Sequence, residues 1–237
     1  MKRIIVRDDV FELFPEFYRG VLLVSDVSVQ TSYKPIRRLL RESIDQRAGE
    51  AGKAPAVEAW NEAHRRFGSD PDTYPPSIRS LVERVRRAPN LPFINSVVAL
   101  FNTISLTHVI PAGGDDVERV EGNLVLGRAT GGERFIPLGG GEEEAPEPGE
   151  VIYFDDGNGN VLCRRWNWRN GDVTKIDVTS KRLVINLDGL PPTTPETIDE
   201  ARGELARLLQ EHAKAEVTLD ALHRNRRELA LPQRLLR

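Results

Sequence analysis

A single cysteine, Cys163, stands in 237 residues, so no intramolecular disulfide can form and a reducing compartment fits best. It sits beside Val161 and Leu162, where a lone cysteine acts as a small core residue rather than a nucleophile. Histidine is scarce at 4 residues, with no His-x-x-x-His or Cys–His spacing, which argues against a structural zinc site. No metal and no cofactor are therefore expected. Apolar runs stay well short of the roughly 18 residues that a membrane helix needs. The segment MKRIIVRDDV lacks the apolar stretch of a signal peptide, so a cytoplasmic protein without a membrane partner is expected. Neither GGGE (139–142) nor GNG (157–159) has the following Lys-Ser/Thr or the strand–loop–helix setting of a phosphate loop. No repeat is visible. A formal net charge of −3 argues against a protein that coats DNA.

What is present is an uneven charge distribution. Residues 141–156 carry seven acids and no base, whereas 222–237 carry five arginines against Glu228. A local basic patch holds phosphate even on an acidic protein. The adjacent acids Glu142–Glu144 and Glu147, flanked by Pro and Gly, read as a solvated loop rather than a metal cage.

Periodicity places RIIV (3–6) and GVLLVSDV (20–27) in strands, and predicts amphipathic helices from Tyr33 to Arg47 and around Val57–Phe67. Ser77 is read as the cap of a helix carrying Ile78, Leu81, Val82 and Val85, with Arg79, Arg84, Arg86 and Arg87 on its other faces. A further helix over about 92–104 shows an apolar stripe from which Asn95 and Asn102 depart. Strand patterns follow in NLVLGRA, RFIPL, GEVIYFDD, NVLCRRWNW, DVTKIDV and RLVINLDG, with DDGNGN joining two of them as a hairpin. Thr194-Pro195-Glu196 opens a long terminal helix with Leu205, Leu208, Leu209, Val217 and Leu219 on its apolar side. The fold class is α+β: helices in front, a largely antiparallel sheet region behind, and a helical tail. The division expected is a domain over 1–192 and a helical, Arg-rich extension over 193–237.

The stretch 92–169 crowds polar side chains into these core elements, which suggests that they line a pocket. His108, following NTISLT, is read as a loop histidine that either holds a water or ribose hydroxyl or is hydrogen-bonded structurally. Asp115-Asp116 and Asp155-Asp156 end segments beside the pocket. In a strand, CRRWNWRNG would turn Arg165, Asn167 and Arg169 to one face and Arg164, Trp166 and Trp168 to the other. That pattern suits a surface that stacks a base and pairs phosphate, and equally a hydrogen-bonded strand with tryptophan in the core.

Together, residues 92–130 with the following GEVIYFDD and CRRWNWR resemble the editing (tRNA-binding) domain of the phenylalanyl-tRNA synthetase beta subunit, and more closely the freestanding proteins built from that domain. The resemblance is carried by Ile94-Asn95, His108, Arg128-Ala129 and Gly132-Glu133 in order, and it spans about 70–190. It implies a trans-editing aminoacyl-tRNA deacylase, an enzyme acting on a carboxylic ester, whose partner is a mischarged tRNA. One branch of the freestanding proteins removes canavanine from arginine tRNA, which makes canavanyl-tRNA(Arg) the leading substrate. The alternative is a non-catalytic module that binds tRNA or an amino acid beside a synthetase.

On this reading Asn102, Ser105 and His108 would position the water. Asn95, Arg128, Glu150, Asp155, Asp156, Arg165, Trp166 and Asn167 would hold the aminoacyl group. Arg79, Arg84, Arg86, Arg87, Arg169, Arg224, Arg226 and Arg227 would bind tRNA phosphate. The alternative for the tail is a frayed, solvated helix end. Amino acid, tRNA and oligomeric state stay open.

Overall fold

The computed structural model describes residues 2–49 and 54–236. In chain order the elements are β1 (Arg3–Val6), α1 (Asp8–Leu13), β2 (Tyr18–Ser25), α2 (Lys34–Gly49), α3 (Pro55–Arg66), α4 (Ser77–Arg87), α5 (Ser96–His108) and β3 (Ala112–Asp116). There follow β4 (Leu124–Arg128), β5 (Val151–Asp155), β6 (Val161–Arg164), β7 (Arg169–Asn170), β8 (Leu183–Gly189), α6 (Pro195–Ala213), β9 (Glu216–His223) and β10 (Glu228–Ala230). The strands form a six-stranded sheet in the order β10-β1-β4-β5-β6-β7 and a four-stranded sheet in the order β3-β8-β2-β9. Every pairing is antiparallel except that of β1 with β4.

Strand alternation divides the core. Along β2, Leu22 and Val24 enter a cluster with α2, α5 and α6, while Val21 and Leu23 enter a second cluster with Leu124, Leu126 and Tyr153 of the six-stranded sheet. Along β8, Leu183, Ile185 and Leu187 take the first side and Val184 the second. The four-stranded sheet thus has helices on one face and the other sheet on its opposite face, an α+β fold dominated by antiparallel pairs. A smaller cluster of Val125, Phe135, Ile152 and Phe154 backs the six-stranded sheet.

The long helices form where their periodicity places them, and Thr194 caps α6 by accepting the Thr197 N–H at 3.3 Å. Thr194→Ala is expected to lower stability by about 1 kcal/mol, read from the urea midpoint.

Several expectations are corrected. Ser77 is the first residue of α4 after Pro76 and makes no side-chain cap; its own N–H donates to the Asn167 carbonyl at 2.9 Å. DVTKIDV is not a strand, because its aspartates fold the chain locally: Asp177 accepts the Thr179 N–H at 2.8 Å, and Asp172 accepts the Lys175 ammonium at 2.9 Å. RFIPL makes only isolated bridges. Residues 165–168 form a turn rather than a strand, with φ of +47° at Arg165 and +62° at Trp166. The turn drives Trp166 into a ring of Phe14, Phe17 and Trp60, each centroid 5.0 Å away. Aromatic burial overrides the alternation that a strand would impose. Among the described residues of the segment 193–237 the long helix ends at Ala213 and only a short 3-10 turn, Gln233–Leu235, is helical after it, since β9 pairs with β2 and β10 with β1. Val217 and Leu219 alternate on a strand instead of lining a helix.

Candidate functional site

At one end of the inter-sheet core the apolar pattern stops. Arg19 of β2, Asn186 and Asp188 of β8, Asp115 of β3 and Tyr153 of β5 are all buried. Arg19 and Asp188 form a two-pronged pair, Nε to Oδ1 at 2.7 Å and Nη2 to Oδ2 at 2.8 Å. Trp166 Nε1 donates to the same Asp188 Oδ2 at 2.8 Å. The Arg19 guanidinium also lies 5.1 Å from the centre of the Tyr153 ring. Desolvating such a pair consumes most of its Coulomb attraction, so its presence is weak evidence for a purely stabilising role.

These residues, with Gly113, Trp166, Asn167, Arg169 and Asn170, surround a cavity of about 260 Å³. Three of their atoms, Arg19 Nη1, Tyr153 Oη and Asn186 Oδ1, are buried without a hydrogen-bond partner among the described residues. An unsatisfied buried polar atom costs about 1–3 kcal/mol, so a fold that keeps three around one cavity holds groups suited to a ligand. All three atoms are closed to solvent.

Asp115 is the titratable group of the site. Burial pushes its carboxyl up to about 7, although the Thr174 hydroxyl, which donates to Oδ1 at 2.6 Å, and the Arg19 charge pull the other way. Burial also raises Tyr153 and Cys163, which keeps both protonated and makes the thiol a poor nucleophile.

A second cleft of about 630 Å³ adjoins the first and shares Ser77, Ala112, Gly113, Gly114, Asp115, Leu138 and Asn170 with it. Its remaining wall is largely apolar, from Ile94, Val98, Phe101, Ile176 and Val178. Ile94, Leu138 and Val178 on its rim are 58%, 53% and 51% exposed, unusual for residues of their size.

β3 separates the two clefts and is an edge strand. Pro111 O accepts the Asp188 N–H at 3.2 Å, while Asp116 N–H turns the other way to the Thr174 carbonyl at 2.9 Å. By alternation, the N–H and C=O of Ala112 and Gly114 also point outward from the sheet. The two glycines differ in what a side chain would meet. A Cβ on Gly114 would lie 3.0 Å from Phe101 Cζ and from the Val184 carbonyl, whereas a Cβ on Gly113 meets nothing within 4 Å. Packing explains the first glycine; the open space of the cleft adjoins the second.

The residues expected from the sequence are scattered. Asn102 and Asn95 line the second cleft, though Asn95 is occupied as the α5 cap, accepting Val98 N–H at 2.9 Å and donating to the Ile176 carbonyl at 3.0 Å. Ser105 is buried in α5 outside both clefts. His108 is not in a loop: it ends α5, with Nε2 2.8 Å from Glu204 of α6, away from the clefts. Arg128 is exposed at the end of β4 and donates to the Gly149 carbonyl at 3.2 Å. Glu150 is buried against Arg164, with Oε2 at 2.8 Å from Nη2, and accepts the Arg165 N–H at 2.9 Å. Asp155 accepts the N–H groups of Glu121 and Gly122 at 2.6 and 2.8 Å, and Asp156 that of Asn123 at 2.7 Å, so both tie down a loop. Arg165 stacks on Tyr74 at 3.8 Å. Trp166 and Asn167 do line the first cavity, where Asn167 Oδ1 lies 3.3 Å from His64 Nε2.

Of the arginines, Arg79 is paired to Asp72 and Glu83, both at 2.8 Å. Arg84, Arg86 and Arg87 are exposed and make no ion pair with the described residues. Arg169 borders the first cavity and reaches Glu144 at 3.4 Å. Arg226 pairs with Asp220 at 2.5 Å, Arg227 pairs with Asp8, and Arg224 is exposed. Arg237 lies outside the described residues.

Arg19, Asn186, Asp188 and Tyr153 were not anticipated. Their signal is present in the sequence: Arg19 is the second residue of YRGVLLVS, and Asn186 and Asp188 stand two apart in LVINLDG, so one face of each apolar strand ends in polar residues. Among the described residues no group of three His, Cys, Asp or Glu could hold a metal ion, and no helix is long and apolar enough to cross a membrane.

Chemically, a carboxyl with a midpoint near 7 beside a cavity can take a proton from water, and outward N–H groups on a glycine strand can stabilise a developing oxyanion. Residues 59–214 match the B3/4 domain family. No curated protein matches in sequence. Among solved structures, an N-terminal fragment of the phenylalanyl-tRNA synthetase beta subunit from Pyrococcus horikoshii is 15% identical, with a TM-score of 0.49. That alignment covers 90% of this chain and 49% of the fragment, so the chain spans about half the fragment's length.

Proposed function

The chain belongs to the B3/4 domain family, and from that premise we propose that it is a trans-editing deacylase that hydrolyses the ester of a mischarged aminoacyl-tRNA. The observation that carries the reading is the placement of Asp115, a buried carboxyl with a midpoint near 7, on the glycine strand between a polar cavity and an apolar cleft.

An aminoacyl ester is already activated, so positioning and charge stabilisation supply what its hydrolysis needs. In this mechanism Asp115 accepts a proton from a water as the water oxygen bonds to the ester carbonyl carbon. The outward N–H of Gly114 or Ala112 donates to the oxyanion that forms. Collapse breaks the bond to the ribose oxygen, which takes up the proton from Asp115, releasing free amino acid and a tRNA hydroxyl. Asn102, on the wall of the apolar cleft, is in reach of the nucleoside side of the substrate. Ser105 and His108 have no part in this chemistry, and Arg84, Arg86, Arg87 and Arg224, exposed and without an ion pair among the described residues, are the arginines suited to phosphate, with Arg169 at the cavity mouth beside Glu144.

The substrate subclass we favour is canavanyl-tRNA(Arg). Its support is the pair of unpartnered oxygens around the polar cavity, Asn186 Oδ1 and Tyr153 Oη, which can accept from a guanidinium-like side chain while Asp115 serves the ester. The test is a deacylation panel with canavanyl-, tyrosyl- and other mischarged tRNAs at micromolar protein. Loss of the canavanyl ester well above the spontaneous rate supports the assignment; loss of a different ester keeps the deacylase and replaces the substrate. Saturable tRNA binding with every ester intact replaces the enzyme with a binding module.

A further inference from the structure

The apolar cleft opens beside a basic edge that the chemistry above does not use. Lys34, Arg37 and Arg41 lie on one face of α2 at helical spacing and are exposed. Arg41 donates to the Pro89 carbonyl at 3.0 Å, which fastens this face to the chain just beyond α4. Arg84 and Arg87, one turn apart at the end of α4, stand on the helix that packs against α2. The acids here are already matched, Glu42 to Arg38 at 3.1 Å and Asp45 to Arg41 at 2.9 Å. Lys34, Arg37, Arg84 and Arg87 make no ion pair with the described residues, so the edge carries a net positive field.

An aromatic group is set into it. The Arg37 guanidinium stacks 4.1 Å from the centre of the Phe93 ring, and Phe93 is half-buried against the helical core. The next residue, Ile94, is 58% exposed on the rim of the cleft. Charge, aromatic stack and apolar cleft therefore follow one another along a continuous path. Arginines that track a backbone, interleaved with a ring that accepts a base, are the means by which proteins hold single-stranded nucleic acid.

We propose that this edge guides the single-stranded 3′ end of tRNA into the cleft, with phosphates on Arg84, Arg87 and Lys34 and one base on the Arg37–Phe93 stack. The proposal rests on the reading of the substrate as tRNA. Its test uses the full chain and fluorescence anisotropy with uncharged tRNA, intact or lacking its single-stranded 3′ nucleotides. Arg37→Gln and Phe93→Leu, the latter keeping apolar packing, are each expected to weaken binding of intact tRNA about tenfold. Binding of trimmed tRNA is expected to stay within about twofold of the unsubstituted protein, since one base stack is missing from both.

If both variants bind intact tRNA like the unsubstituted protein, or weaken both RNAs equally, the path is wrong while deacylation by the unsubstituted protein still stands. If the unsubstituted protein binds no tRNA, the path and the substrate reading fall together. Selective weakening without any ester hydrolysis supports the path and removes the enzyme.

Discussion

Gly113→Val is expected to leave the fold at least as stable as the unsubstituted protein and to reduce deacylation kcat/KM by about 100-fold or more. The two halves of that expectation have separate causes. A Cβ at this position meets nothing within 4 Å, and Gly113 pairs with Asn186 of β8 in ordinary extended geometry, so the branch point of a valine side chain has room. Replacing glycine inside a strand removes a conformational-entropy cost of about 0.5–1 kcal/mol, and a β-branched side chain suits a strand. The space that valine occupies, however, belongs to the wall shared by both clefts. Displacing a reacting group by about 1 Å costs on the order of 100-fold in rate. Gly114→Ala is the control: its methyl would press on Phe101 and the Val184 carbonyl, both at 3.0 Å, so stability should fall as well as activity. Thermal unfolding beside single-turnover deacylation separates the two. A Gly113→Val protein that stays fully active would show that the β3 wall does not meet the substrate.

Why the sequence disclosed the family and the architecture but not the centre of the site follows from how each is encoded. Amphipathic helices announce themselves through local spacing, and α2, α3, α4 and α6 lie where Ile36, Trp60, Ile78 and Leu205 place them. The short apolar strands β1, β2, β5 and β8 are similarly local. β3 was hidden because Ala-Gly-Gly-Asp-Asp has turn composition; its strand character comes from pairing with β8, some 70 residues later, and from the absence of room for a Cβ at Gly114. The 165–168 turn was hidden because Trp166 obeys a tertiary demand, the ring of Phe14, Phe17 and Trp60, over its own alternation. His108 drew notice as a rare residue type, but the three residues from Ser105 to His108 carry it round the helix toward Glu204. Arg19 and Asp188 pair across β2 and β8 in register, a relation between two segments about 170 residues apart that no local pattern displays. The acids of 150–156 behave likewise. Their partners, Arg164 for Glu150 and the loop N–H groups for Asp155, explain them structurally and release them from the binding role their position suggested.

Asp115→Asn should produce opposite effects on activity and stability, and that opposition is what distinguishes a working group from a structural one. Its folded midpoint, near 7, stands above the usual carboxylate value of about 3.9. Between those two pH values the folded protein binds more protons than the unfolded chain, so stability falls as pH rises through that window and the whole penalty is present above about pH 7. Asparagine carries no charge to desolvate and its oxygen can still accept the Thr174 hydroxyl. Near pH 4 the variant and the unsubstituted protein should unfold at similar temperatures; at pH 8 the variant should unfold at the higher one. Activity runs the other way. The ionised carboxylate is the form that accepts the water proton, so kcat/KM of the unsubstituted protein should rise with pH through about 7. The variant should lose that limb and fall by about 100- to 10,000-fold, the range typical of a general base. Paired pH profiles of unfolding temperature and ester hydrolysis decide the matter. A variant that gains stability at pH 8 yet keeps the activity and its pH limb would move the proton-accepting role to another group. One that loses stability at every pH would make Asp115 a structural residue, held for its bond to Thr174.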